Sequence, residues 1–185
     1  MSDPVHSSGP DVRGLFALFP PSSFMARFEI VPAEQVPPPY HELLVHEHHM
    51  TVTVEKHHGE KVDVKILERL KGDKAYARKI LLVTQNSKRV VQFGLVRIHL
   101  DYCSQEVRDE ILAGNTPLGR ILINHNVLRR IEPTNYLRII PGPAMMEWFA
   151  LPEPRPTYGR QAVIHCDGKP AIELLEIVAP EPIAV

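Results

Sequence analysis

The chain has 185 residues, 44% hydrophobic and 23% charged, and its 21 basic side chains against 22 acidic ones give a formal net charge of −1. That is apolar material for one globular core, without the basic excess that binds nucleic acid by bulk charge and without the roughly 18 apolar residues in a row of a membrane span. Two cysteines, Cys103 and Cys166, cannot build a disulfide framework, and no charged-then-apolar leader opens the sequence, so a reducing, cytoplasmic setting is expected.

Proline divides the chain. Eight of the 18 prolines lie in residues 1–40, eight lie in 141–185, and only Pro117 and Pro133 fall between. Proline lacks a backbone donor and breaks interior ladders, so regular structure should be densest over 41–140. The expected organisation is a proline-rich, partly disordered N-terminal extension over 1–40, one domain over 41–180 and a short tail over 181–185. Met1 to Gly14 is expected to be disordered, whereas Leu15 to Phe28 carries the apolar residues to pack on the body.

In chain order, Met50, Val52 and Val54 alternate, and after His58-Gly59-Glu60 the alternation resumes at Val62, Val64 and Ile66. That pattern predicts an antiparallel hairpin with a glycine turn. Tyr76 to Thr84 and Val90 to Leu100 flank the polar turn Gln85-Asn86-Ser87 as a second hairpin. Ser104 is placed to cap a helix over Gln105 to Ala113 that Gly114 closes, and Thr116-Pro117 restarts a helix reaching about Asn124. Val127 to Ile140 is extended in character. Arg160 to Cys166 and Lys169 to Val178, joined by Asp167-Gly168, form a third hairpin. Hairpins with helices inserted between them imply an α+β domain on an antiparallel sheet.

No phosphate loop, dinucleotide fingerprint, GxSxG elbow or CxxC is present. Candidate chemistry lies in single residues. His46, His48 and His49 could ligate a metal, but on a strand only His46 and His48 share a face, so solvated or hydrogen-bonded polar positions are the plainer reading. Arg78 alternates in phase with Ile80 and Leu82 and points inward, where it needs a carboxylate, either from the chain or from a ligand. Glu176 alternates with Ile172, Leu174 and Val178, whereas Glu173 faces the other way. Burial raises the proton affinity of such a carboxyl and a cation lowers it. Pairing of Arg78 with Glu176 would satisfy both without any function. Thr116-Pro117-Leu118-Gly119-Arg120 is a loop-to-helix junction with free backbone donors, either a ligand-binding turn or an ordinary capped helix.

Taken together, Leu43-Leu44 with His49-Met50-Thr51, Arg78 before Ile80-Leu81-Leu82, Thr116-Pro117-Leu118-Gly119-Arg120, Tyr158-Gly159-Arg160, Gly168-Lys169-Pro170 and Glu176 ahead of Pro180 follow a familiar order. Over roughly residues 40–180 the chain resembles the chorismate pyruvate-lyases that form 4-hydroxybenzoate. The resemblance implies an antiparallel sheet with helices, and a closed pocket working without metal or cofactor. In it Arg78 would bind the ring carboxylate of chorismate and Glu176 the ring hydroxyl. Backbone groups at Met50 and Leu118 would complete the pocket, with Gly119 and Arg160 as further substrate-binding positions. The implied reaction eliminates pyruvate from chorismate and leaves the aromatic ring of 4-hydroxybenzoate. The same superfamily fold also serves as a non-catalytic small-ligand sensor in GntR-type regulators, or in a relative acting on another small acid. Those regulators normally place a helix-turn-helix module first, and residues 1–40 are too proline-rich for one.

Overall fold

The computed structural model describes residues 12–73 and 75–182. The expected disorder of the N-terminus therefore lies, for residues 1–11, outside the described residues. Helix α1 (Val12–Leu18) is followed by strand β1 (Met25–Val31), helix α2 (Tyr40–Leu44), helix α3 (Met50–His58) and strand β2 (Val62–Lys71). Strands β3 (Ala75–Thr84) and β4 (Val90–His99) form a hairpin, and helices α4 (Gln105–Ala113) and α5 (Leu118–Asn124) come next. Strand β5 (Arg129–Pro141), helix α6 (Pro143–Trp148) and the hairpin of β6 (Thr157–Cys166) and β7 (Lys169–Val178) complete the fold. The strands make one seven-stranded antiparallel sheet in the order β1-β5-β6-β7-β4-β3-β2. This is the α+β class expected. No helix among the described residues is long and apolar enough to cross a membrane.

Local chemistry accounts for most boundaries. Ser104 accepts a hydrogen bond from the Val107 amide as the cap of α4, and Gly114 ends that helix in the left-handed region at φ 74°. The hairpin turn at Asp167-Gly168 places both residues at positive φ, as a tight two-residue hairpin turn requires. At α5 the assignment differs slightly: Pro117 occupies the cap position and no side chain, Thr116 included, caps the helix.

One expected hairpin is absent. Residues 50–58 form helix α3 instead of a strand, and Gly59 at φ 67° closes that helix instead of turning a hairpin. The apolar alternation there spans only five residues, too few to separate period 2 from period 3.6. The residues that become buried are Met50, Thr51 and Val54, one helical face, while Val52 is left exposed. His46 and His48 consequently lie on no strand; they occupy the bend between α2 and α3.

The sheet is covered on both faces. On one, α1 and α6 enclose a single apolar cluster that includes Phe93, Leu95, Leu137, Ile139, Leu175 and Ile177. On the other, two clusters form: α4 and α5 cover Val96, Ile98, Ile164, Ile172 and Leu174, while α2 and α3 cover Ile80, Leu82 and Val178. Each fully buried aliphatic or aromatic side chain contributes about 1.5–3 kcal/mol. Upstream of residue 40, β1 is bonded to β5, and Leu15, Phe19 and Phe24 are buried, so sheet and core both draw on the proline-rich extension.

Candidate functional site

The seam between the two clusters on the α3/α5 face is polar. Across it the register aligns Ile80 on β3, Gly94 on β4, Glu176 on β7, Arg160 on β6 and Tyr136 on β5 as one rung. Arg78 stands one rung away on β3, opposite Val96. Because alternate residues of a strand share a face, Arg78, Glu176 and Arg160 all rise from the same side of the sheet, beneath α3 and α5.

There they surround a cavity of about 40 Å³ whose floor includes Arg78, Gln92, Gly94 and Glu176 and whose roof includes His49, Met50, Thr51, Leu118 and Gly119. The two helices meet in the roof so closely that a Cβ on Gly119 would lie 3.0 Å from the Thr51 hydroxyl and 3.1 Å from the His49 Cβ. Neither α3 nor α5 carries a side-chain cap at its N-terminus.

Arg78 is 1% exposed, and its Nε and Nη1 meet no hydrogen-bond partner among the described residues. Burial pulls its pKa below the ordinary value, yet a guanidinium stays charged at neutral pH. Gln92, 3% exposed, likewise leaves its Oε1 unpartnered.

Glu176 is not the partner of Arg78. Its Oε2 accepts from Arg160 Nε at 2.8 Å. Burial raises the Glu176 pKa, and the Arg160 cation opposes that rise. Arg160 spends its remaining donors on the α2–α3 bend: Nη1 donates to the His46 carbonyl at 2.7 Å and Nη2 to the His48 carbonyl at 2.9 Å. It therefore stands behind Glu176 and holds the bend that leads into α3; it does not line the cavity. Glu173, on the opposite face, pairs with Arg97.

His46 and His49 are neutral hydrogen-bonding groups. His46 Nδ1 accepts from the His48 amide at 3.0 Å while Nε2 lies 2.7 Å from the Leu43 carbonyl, which fixes the Nε2–H tautomer. Burial, with Arg160 adding to it, lowers the His46 pKa to about 4. His49 Nε2 accepts from Arg129, and burial followed by Arg129 lowers its pKa to about 4 as well. No three His, Cys, Asp or Glu side chains among the described residues converge on a point that could hold a metal. His49 also forms part of the wall of a surface basin of about 710 Å³ that includes Val127, Arg129 and Arg130, so it borders both that basin and the cavity.

Of the six positions singled out in the sequence, five line the cavity: Arg78, Glu176, Met50, Leu118 and Gly119. Arg160 supports it from behind. Sequence reasoning passed over Gln92, although the argument applied to Arg78 would have found it, since Gln92 alternates in phase with Gly94, Val96 and Ile98. The sequence presents His49 only as a candidate metal ligand and Thr51 only as part of the His49-Met50-Thr51 motif; with residues 50–54 assigned to a strand, nothing turns either toward a pocket.

No sequence-family profile matches the chain, and no curated protein matches it. Solved structures of similar shape include PhnF from Mycobacterium smegmatis at 10% identity and TM-score 0.48, the match covering 71% of this chain and 63% of that one. The separate effector domain of PhnF matches at 10% identity and TM-score 0.49, over 71% of this chain and 88% of that one. A GntR-family transcriptional regulator from Bacillus cereus matches at 13% identity and TM-score 0.43, over 67% and 95%. The present chain thus spans less than two thirds of intact PhnF, and likeness at this level carries no inference about activity.

Proposed function

We propose that the chain is a receptor for a small carboxylic acid, anchored at Arg78. One observation carries this reading: a guanidinium buried to 1% exposure that faces a cavity with donors unmet by the described residues. An unpaired buried charge costs several kcal/mol, and a chain needing only stability does better with a hydrocarbon there. A carboxylate is the natural complement of a guanidinium, and a carboxylate from solution reaches this one without an acidic residue being spent on it. The free N–H groups of the first turn of α3 add a second attraction for an anion.

The other end of the floor selects a hydroxylated acid. Glu176 is oriented by Arg160 and keeps acceptor capacity toward the cavity, so a ring hydroxyl donates to it while the carboxylate meets Arg78. Ligand pockets usually enclose ~300 Å³ or more, and about 40 Å³ is too little for a ring. Binding therefore displaces the roof, and movement of His49 merges the cavity with the outer basin. Isothermal titration with 4-hydroxybenzoate should give saturable binding that weakens at least ~30-fold in Arg78→Met, the loss expected when one partner of a buried charge pair is removed. Equal affinity in the variant, or no binding by the wild type, would overturn the proposal.

A second reading is favoured by Glu176, a carboxyl of raised proton affinity on the same cavity. In it the site also cleaves chorismate: the bond from ring carbon to ether oxygen breaks, the ring gives up a proton and becomes aromatic, and the released enolpyruvate takes up one proton at its methylene carbon, so that the products are 4-hydroxybenzoate and pyruvate. Orientation and exclusion of water supply most of what such a step needs. Incubation with chorismate and assay of pyruvate decides it. Binding without turnover leaves the receptor reading standing and removes the lyase.

A further inference from the structure

The two edges of the sheet are unlike. The outer edge of β2 is studded with exposed Asp63, Lys65, Glu68, Arg69 and Lys71, the usual protection against pairing with another strand. Strand β1 has far less of it. It pairs only with β5, and its outward N–H and C=O groups meet no backbone partner among the described residues. Ile30 is 62% exposed and Phe28 is 38% exposed, and the ring of Phe16 from α1 lies 5.3 Å from that of Phe28.

We propose that β1 pairs antiparallel with β1 of a second copy about a two-fold axis through Phe28, joining two sheets into one. The sequence Arg27-Phe28-Glu29 is self-complementary in this register alone. With Phe28 opposite Phe28, each Arg27 faces Glu29 of the second copy, twice over. Sliding by one pleat repeat in either direction sets Arg27 against Arg27 or Glu29 against Glu29, and like charges directly opposite are unfavourable. Glu29 already receives Arg138 at 3.2 Å from β5, and a carboxylate has acceptor sites for both cations. Apolar contact of the Phe28 rings and the new ladder bonds supply affinity, while the exposed ion pairs fix register.

Light scattering coupled to size exclusion tests it on the full chain. The wild type should run at twice the chain mass. Arg27→Glu and Glu29→Arg should each run at the single-chain mass and keep the far-ultraviolet circular dichroism of the wild type, although Glu29→Arg also gives up the exposed pair with Arg138. Mixing the two variants should restore the doubled mass, since one copy then presents two carboxylates to the two guanidinium groups of the other. Ile30→Lys, at a position 62% exposed, should also halve the mass. A monomeric wild type, a single-charge variant that stays dimeric, or a mixture that stays monomeric would each overturn the proposal.

Discussion

Strand β7 carries two glutamates three residues apart, on opposite faces of the sheet, and each is paired across strands with an arginine. Glu173 meets Arg97 on the α1 face, where the pair is partly exposed, at 13% and 23% for the two side chains. Glu176 meets Arg160 on the α3/α5 face, where the arginine is 1% exposed. On the first face the charges balance and the apolar cluster around them is continuous. On the second a further arginine, Arg78, has no carboxylate among the described residues, and the core divides in two around it. Buried ion pairs alone are therefore not the mark of a site in this molecule. The mark is the unbalanced cation.

That contrast can be broken most forcefully at Arg160. Arg160→Ala strands Glu176 and the carbonyls of His46 and His48 away from any donor, and should cost about 3–5 kcal/mol in chemical denaturation. A loss under ~1 kcal/mol, the range of exposed pairs, would show that Arg160 does not hold the α2–α3 bend. Arg78→Met should move stability the other way, raising it by about 1 kcal/mol or more while abolishing acid binding, because it removes an unpaired buried charge. A destabilised Arg78→Met would mean that the chain itself satisfies the guanidinium.

Acid acts on the same face more gradually. His46 and His49 have folded-state pKa values lowered to about 4 from an unfolded value of 6.5, so the unfolded chain binds more protons between those limits. Their contribution is complete above pH 6.5 and is lost as the pH falls toward 4. Glu176, whose pKa is raised, works in the opposite direction: its burial is least costly when it is protonated. Urea unfolding at steps from pH 7 to 4.5 should show declining stability, with a steeper decline in Glu176→Gln. A flat profile would contradict the neutral histidines. The other face should lose less than Arg160→Ala does: Arg97→Leu should cost about 1–3 kcal/mol, because Glu173, 13% exposed, loses its partner but no carbonyls are stranded with it.

Much of this site was legible beforehand because a strand has period 2. Alternation alone set Arg78 and Glu176 facing inward and Glu173 on the other face, and the same rule extends to Gln92. Alternation failed at Met50–Val54, where five residues fit either period, and the helix that forms there supplies half of the roof. The cap at Ser104 and the turn at Asp167-Gly168 were legible for a different reason, since their geometry is settled by neighbours in the chain.

Sequence by itself determined most of the strands, the direction in which their polar residues point, and the α+β class, because these follow from local period and turn chemistry. Which charge meets which was decided by tertiary structure. An Arg78–Glu176 bridge was equally compatible with the sequence, but strand order sets β7 between β6 and β4. Arg160 is thereby directly opposite Glu176, and Arg78 is a strand further off, beyond Gly94. Pairing across a sheet depends on which strands become neighbours, and those neighbours lie far apart along the chain.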